Sequence, residues 1–364
     1  MTDRPETTDT DADTSTGTDA DTDAVADPVM EMVSRPHAEN FIAWSASRPE
    51  VLVLSADLTN SCEVGRWRDT YPDRFITAAM AEQNMLGVAG GLAREGFVPF
   101  IHTFAVFIYR RAYDQLAMSV AYPNLKVRML GFLPGIVTPG GVTHQAIEDV
   151  AIMRATPNMT VLETGDATEV ESMLDAVEHV DGPVYIRVLR GEVPRLFPAD
   201  EPLRLGRSRL LSDGGDVAVL TAGITTEEAL RARRALQRAG VGVSHVHVST
   251  HKPFGDEIIE NAVSSARCGV VTLENHTVVG GLGSAVAEYM AERGIGRRLV
   301  RLGLDDTYAH GASKAYLMRE HGLDSAALVT AVESLVGERL GVTDADFASA
   351  RTDAVHSEAK AEAL

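Results

Sequence analysis

The stretch 78-AAMAEQNMLGVAGGLA-93 decides how this chain folds. A short apolar run, Phe75–Thr77, precedes it, and small and apolar residues at helical spacing follow, which predicts a strand followed by a helix. A single carboxyl group, that of Glu82, lies at the junction. Because a free charge is unfavourable in such apolar surroundings, we expect Glu82 to be protonated or to share a proton with a partner. A carboxyl group of this kind suits a hydrogen bond to a heterocyclic nitrogen.

Strand-like and helix-like stretches alternate on both sides of this segment. Val51–Ser55 is typical of a buried parallel strand, and helices are predicted over 109–120 and 144–154. Prolines and glycines interrupt the alternation after residue 191. We therefore predict an α/β fold with two doubly wound domains. The predicted organisation is a disordered acidic tail over 1–30, a first domain over 31–192, a linker over 193–214, a second domain over 215–342 and a polar tail over 343–364.

Charge and composition narrow the class of protein. The formal net charge of the 364 residues is −19, of which about −8 comes from the first 29 residues. Such acidity argues against nucleic acid as a partner. No apolar run reaches the length of a membrane span and no secretory signal precedes the first domain, so we expect a cytoplasmic protein without membrane attachment. The two cysteines, Cys62 and Cys268, have no metal-ligand spacing and are expected to be reduced thiols.

The Glu82 segment resembles the pyrimidine-binding domain of transketolases and other thiamine-diphosphate enzymes, residue for residue through 81-AEQ-83 and the Gly-Gly pair at 90–91. The resemblance implies that Glu82 activates thiamine diphosphate through its aminopyrimidine ring. It also implies that Phe104 and Phe107, in 103-TFAVF-107, form an aromatic pocket for that ring. Asp57, in 55-SADL-58, matches a family residue near the thiazolium ring.

A second group of positions resembles the family's substrate site. In 140-GGVTHQ-145, His144 takes the place of an active-site histidine that assists proton transfer. Arg35, Ser61 and Arg190 match positions that hold a substrate phosphate, so the resemblance implies an anionic sugar substrate. His102 stands where the family has serine, and either contacts the substrate or cofactor or is a satisfied histidine near the core.

At two further positions this sequence differs from the family motif, so the identity of the sugar substrate is not predicted. Gly140 replaces a family aspartate that reads a donor hydroxyl, and Phe132 replaces a histidine. A nearby run, 110-RRAYDQ-115, resembles a family motif in which Asp114 anchors either Arg111 or a partner chain, and we expect the salt bridge with Arg111. Downstream, 274-ENH-276 and 280-GGLGS-284 resemble the C-terminal domain shared by transketolases and 2-oxo-acid dehydrogenases.

The family's diphosphate-binding half has no counterpart here. That half carries Gly-Asp-Gly and a later asparagine, which hold the metal and the diphosphate, and the chain has no such set. The resemblance therefore implies that an N-terminal transketolase subunit supplies the diphosphate site and its Mg²⁺ or Ca²⁺, with no metal ligands in this chain, in a heterotetramer acting on sugars or sugar phosphates. The expected activity is two-carbon ketol transfer. The alternatives are the beta subunit of a 2-oxo-acid dehydrogenase decarboxylating component and a non-catalytic scaffold.

Overall fold

The computed structural model describes residues 31–348. The acidic tail predicted over 1–30 and most of the polar tail predicted over 343–364 lie outside the described residues. Fourteen strands are present in this part of the chain: β1 Met32–Ser34, β2 Val51–Ser55, β3 Phe75–Thr77, β4 Val98–Phe104, β5 Arg128–Phe132, β6 Thr160–Glu163, β7 Val184–Val188, β8 Glu192–Pro194, β9 Arg209–Ser212, β10 Val217–Thr221, β11 Val243–His247, β12 Thr250–Lys252, β13 Gly269–Thr277 and β14 Leu299–Leu304.

The same residues form thirteen α-helices, a 3₁₀ turn at Pro72–Arg74 and a π-helical turn at Leu116–Ala121. The helices are α1 Pro36–Ser45, α2 Gly65–Thr70, α3 Glu82–Arg94, α4 Ala105–Tyr109, α5 Tyr113–Gln115, α6 Asp149–Ala155, α7 Ala167–Glu178, α8 Thr225–Arg238, α9 Glu257–Ser265, α10 Leu282–Glu292, α11 Lys314–Glu320, α12 Ser325–Val336 and α13 Ala345–Ala348.

The first sheet has seven strands in the order β12-β6-β7-β5-β4-β2-β3. All are parallel except β12, which pairs antiparallel with β6. Every residue of β2, β5 and β7 is buried, as expected for central parallel strands covered on both faces. Because the carboxyl ends of parallel strands meet at one edge, the loops after β2, β3, β4, β5 and β7 converge there.

The second sheet has five strands in the order β14-β13-β10-β11-β9, and only β9 is antiparallel. Alternate residues of β10 point to opposite faces. Val217 and Val219 join the core that includes α8 and α12, while Ala218 and Leu220 join the core that includes α9 and α10. The predicted α/β class with two parallel, helix-covered sheets is confirmed.

Several predicted boundaries differ from the structure. The helix expected over 109–120 starts earlier, as α4, stops over 110–112 and resumes at Tyr113. The helix expected over 144–154 begins only at Asp149, because the preceding backbone turns back and Gly135 N donates to Ala146 O at 2.8 Å. The segment predicted as linker contains β9, and part of the predicted polar tail forms α13. Strand β12 comes from the predicted second domain yet extends the first sheet.

A buried ion-pair cluster joins the two sheets. The Arg187 side chain, fully buried on β7, donates from Nε and Nη2 to the two carboxylate oxygens of Asp149 at 2.8 and 2.6 Å. Its Nη1 reaches Glu163 Oε1 at 3.2 Å and the carbonyl oxygen of Asn275 on β13 at 3.1 Å. The cluster fixes the second sheet against the loop that ends at α6. Within residues 31–348, no helix is long and apolar enough to cross a membrane.

Candidate active site

Glu82 is the first residue of α3 and is 1% exposed. The guanidinium of Arg111 donates from Nη1 to Glu82 Oε2 at 2.6 Å. The partner of Glu82 among the described residues is therefore a guanidinium, a group that keeps its own protons. The predicted salt bridge between Arg111 and Asp114 is not formed, because Arg111 pairs with Glu82 instead. No other described residue donates to Oε1 of Glu82, which leaves that oxygen able to accept one more hydrogen bond.

An aromatic cluster continues from this ion pair. The Arg111 guanidinium lies 4.5 Å from the centroid of the Phe107 ring. The rings of Phe104 and Phe107 are stacked with centroids 6.0 Å apart, and His144 meets them edge-on at 6.2 and 5.6 Å. The structure thus brings together Glu82, both phenylalanines and His144, all of which the sequence singled out, with Arg111 bridging Glu82 and Phe107.

The loop that carries His144 is fixed at several points. His144 is half-buried, and its Nδ1 lies 2.8 Å from the Thr143 hydroxyl. Arg110 donates to Val142 O at 2.6 Å and makes a two-point ion pair with Glu148. A Cβ placed on Gly140 would lie 3.0 Å from His144 Cγ. A side chain at position 140 would therefore crowd the imidazole of His144. The observed position of that ring requires glycine at 140.

His102 lies in the core, away from the aromatic cluster. It is fully buried, and its Nε2 is 2.9 Å from His37 Nε2. Burial lowers the pKa of His37 to about 3 and that of His102 well below its ordinary value, so both rings are neutral near pH 7 and one donates to the other. Phe132 packs against both rings. Of the two interpretations of His102, the structure favours the core histidine over the substrate contact.

Arg35, Ser61 and Arg190 come together at the same edge of the sheet. Arg190 donates from Nη1 to Ser61 O at 3.2 Å, and Arg35 N donates to Gly191 O at 2.7 Å. Arg35 and Ser61 line an open cavity of about 640 Å³. Asp57, in contrast, is exposed, with a φ of 62°. No hydrogen bond or ion pair within residues 31–348 ties its side chain to the aromatic cluster.

Three side chains have contacts that the sequence did not predict. Arg111 and His37 find their partners 29 and 65 positions away, a pairing that no local pattern reports. The third is Glu63, 8% exposed, which adopts a φ of 59° and lines the cavity of Arg35 and Ser61. Its Oε1 accepts the N–H of Gly191 at 2.7 Å. Burial raises the pKa of Glu63, although Gly191, Arg190 and Arg35 act in the opposite direction.

Metal ligands are not grouped in the described part of the chain. Among residues 31–348, no three His, Cys, Asp or Glu side chains are placed to hold a metal ion together. Cys62 and Cys268 are both free thiols.

Comparison with known proteins now assigns the class. Residues 35–195 match the pyrimidine-binding domain of transketolase, and residues 206–328 match the transketolase C-terminal domain. The chain therefore belongs to the transketolase family, as its sequence motifs predicted.

The relatives specify which portion of a transketolase this chain resembles. It is 34% identical to a putative transketolase C-terminal section of Methanocaldococcus jannaschii, covering 82% of this chain and 95% of the relative. It is 38% identical to a 6-deoxy-6-sulfo-D-fructose transketolase subunit of a Clostridium species, covering 82% and 92%. A solved structure described as an inactive β4 tetramer of a split-gene transketolase superposes with a TM-score of 0.75 at 35% identity, covering 83% of this chain and 97% of that one.

Proposed function

We propose that this chain is the C-terminal subunit of a split, thiamine-diphosphate-dependent transketolase, which moves a two-carbon ketol unit from a ketose to an aldose. The observation that carries the proposal is the arrangement at the carboxyl edge of the first sheet. A buried carboxylate with one uncommitted oxygen, Glu82, lies next to a stacked phenylalanine pair and a half-buried loop histidine.

The residues present fit the aminopyrimidine half of the cofactor. Oε1 of Glu82 can accept a hydrogen bond from a ring nitrogen that carries a proton, in surroundings that exclude water. Phe104 and Phe107 offer aromatic faces, and Phe107 already stacks a planar cation, the guanidinium of Arg111. When bound, thiamine diphosphate supplies a nucleophilic carbon that takes up the ketol unit and holds its negative charge. We assign the diphosphate and its Mg²⁺ or Ca²⁺ to the partner subunit, because this chain covers almost the full length of relatives named as a transketolase C-terminal section and a transketolase subunit.

The remaining residues bind the sugar and handle protons. His144 is positioned by Thr143 and by the loop contacts of Arg110, and its imidazole can accept and return a hydroxyl proton. Arg35, Ser61 and Arg190 hold the charged end of an anionic sugar. Tethering the anion at one end and placing His144 at the other orients the substrate's reacting carbons.

The surface beside Glu82 supports assembly with other subunits. Large apolar side chains are exposed just before α3 and on the helical segment that follows Arg111: Met80, Tyr113, Met118 and Tyr122, with exposed fractions of 76, 41, 57 and 77%. Such a patch is typical of a protein interface. The relative named as a C-terminal section supports a partner with the N-terminal half, and the structure described as a β4 tetramer of a split-gene transketolase supports self-association. We propose that the active assembly is a heterotetramer with two copies of each subunit.

Reconstitution tests the proposal. The chain is mixed with the product of a partner gene encoding the diphosphate half, together with thiamine diphosphate and Mg²⁺, and assayed for ketol transfer between a ketose and an aldose. Transfer that requires both chains and the cofactor is the expected result. Decarboxylation of a 2-oxo acid without ketol transfer would instead identify a 2-oxo-acid dehydrogenase component. Ketol transfer that persists undiminished in Glu82→Gln would contradict the catalytic assignment and favour a scaffold.

A further inference from the structure

A segment of the second domain lies against the loop that carries His144. It spans residues 305–313, between the end of β14 and the start of α11. A Cβ placed on Gly311 would lie 2.8 Å from the carbonyl oxygen of Pro139, and one placed on Gly141 would lie 3.3 Å from the backbone nitrogen of Gly311. Both contacts join backbone to backbone, so glycine at 311 and at 141 lets the two domains approach closely.

The same segment also contacts Arg110, which holds the tip of that loop. Arg110 donates to Val142 O at 2.6 Å, and its guanidinium carbon lies 5.8 Å from the centroid of the Tyr308 ring. Tyr308 is 66% exposed, so this cation–π contact is weak. Its neighbour Ala309 is buried in the larger hydrophobic core. The segment is therefore anchored by Ala309 and acts on the loop chiefly through the close backbone contacts.

Gln145 joins this segment to His144. It follows His144 in the chain, is 1% exposed, and donates from Nε2 to His310 O at 3.2 Å and to Thr138 O at 3.4 Å. Because both neighbours are carbonyl oxygens, the amide nitrogen must face them. The backbone N–H groups of His144 and Gln145 both donate to Gly141 O, at 2.9 and 3.1 Å. The backbone of His144 thus lies in a turn that Gln145 ties to the second domain.

The imidazole of His144 has little support of its own. Within residues 31–348 its hydrogen bonding is limited to the Thr143 hydroxyl, 2.8 Å from Nδ1, and Thr143 is itself exposed. The ring of His144 meets Phe104 and Phe107 only edge-on. Where the imidazole lies is therefore set mainly by the backbone of its loop.

We propose that Gln145 is a positioning residue through which the segment 305–313 of the second domain holds His144 in place for proton transfer. A displacement of about 1 Å in a catalytic group can lower a rate by about 100-fold, so a contact of this kind affects turnover although it touches no substrate. The role rests on the proposed function, because His144 handles protons only in that reaction.

Two variants test this role from opposite sides of the contact. Gln145→Met keeps a side chain of similar length but removes the donor to both carbonyl oxygens. Gly311→Ala adds a Cβ that would meet Pro139 O at 2.8 Å, and since Gly311 is exposed, the segment can move away from the loop. Gly296→Ala is the matched control, because a Cβ at that position in the same domain meets nothing within 4 Å.

In the reconstituted complex, Gln145→Met and Gly311→Ala should each lower kcat for ketol transfer by roughly tenfold or more, and Gly296→Ala by less than about twofold. Exchange of the C2 proton of bound thiamine diphosphate with deuterium, the step assigned to Glu82, should stay within about twofold of the wild-type rate. The double variant should be little slower than the slower single variant, because both changes break one contact. An unchanged kcat in both variants, or equal losses of kcat and of exchange, would overturn the positioning role.

A readout without catalysis separates this inference from the proposed function. Diethyl pyrocarbonate modifies accessible imidazoles, and peptide mass spectrometry of one sample compares the modification rate of His144 with that of the exposed His179. Gln145→Met and Gly311→Ala should raise the ratio of the two rates by roughly threefold or more, and Gly296→Ala should leave it unchanged. If the wild-type complex shows no ketol transfer, the proposed function fails, and a raised ratio still supports the contact from the second domain. A ratio that neither variant changes would overturn the inference.

Discussion

Arg187→Met is the perturbation whose cost the structure defines best. The variant keeps an apolar side chain of similar length but removes every hydrogen bond of a fully buried guanidinium. Asp149 would then keep only the Tyr185 hydroxyl, and Glu163 only the His251 imidazole. Breaking a buried ion pair by removing one partner costs about 3–5 kcal/mol, because the other charge stays buried and uncompensated. That is a large part of the ~5–15 kcal/mol by which a typical domain is stable.

Urea unfolding followed by far-UV circular dichroism measures this loss. Arg48→Met is the control, because it removes a two-point ion pair with Glu178 in which both side chains are partly exposed. The control should cost about 1 kcal/mol or less. The double variant Arg187→Met/Asp149→Asn removes one of the uncompensated charges and should recover part of the loss. A loss for Arg187→Met no larger than that of the control would refute the reasoning.

The pH dependence of the same measurement has a definite sign. Burial favours protonation of Asp149 and Glu163, but Arg187 outweighs it and holds the pKa of each below its ordinary value. A carboxyl group whose pKa is lower in the folded state than in the unfolded state stabilises the fold at pH values above its unfolded-state pKa. That stabilisation is lost as the pH falls below about 4. The difference in stability between the wild type and Arg187→Met should therefore narrow as the pH falls toward and below about 4, because the uncompensated carboxyl groups of the variant also bind protons.

Three further predictions concern the site and its support. Phe107→Ala should weaken binding of thiamine diphosphate to the complex by roughly tenfold in calorimetry, whereas the control Phe97→Ala, on a partly exposed ring, should not. His144→Ala should lower kcat about 100-fold or more and leave the affinity for the cofactor within about twofold. If kcat and cofactor affinity fell by the same factor, His144 would have a structural role instead. Because burial lowers the pKa of His37 and His102, the unfolded state binds more protons below about pH 6.5, and the fold should lose up to about 1.4 kcal/mol per histidine per pH unit on acidification. His102→Ser should reduce that slope in urea unfolding between pH 7.5 and 5.5, and an unchanged slope would contradict the assignment of the pair.

The sequence predicted those features that depend on local pattern. A continuous apolar run identifies Val51–Ser55 as a central strand because both of its faces are buried. Small residues at helical spacing predict the helix α3, which begins at Glu82. Since parallel strands place their carboxyl ends at one edge, the loop residues after them could be expected to meet.

Features that depend on tertiary contacts could not be predicted from the sequence. The helix expected over 109–120 breaks at 110–112, where Arg110 and Arg111 reach Glu148 and Glu82. The break in the helix orients Arg111 toward Glu82. The residues that flank Arg111 in the sequence do not predict this break. Strand β12 has only three residues, too few for a periodic signal, and its place beside β6 depends on the packing of the two sheets. Glu63 has a left-handed backbone conformation, which is uncommon for residues other than glycine. No sequence pattern predicts this conformation at a glutamate.

The central claim is that Glu82 activates thiamine diphosphate in an assembly with a second subunit. The most direct test is the rate at which the acidic thiazolium C2 proton of the bound cofactor exchanges with deuterium, measured by quenched-flow NMR on the complex. Glu82→Gln should slow this exchange by about 100-fold or more while the cofactor remains bound. Exchange at the wild-type rate in Glu82→Gln, with the cofactor fully bound, would contradict the account.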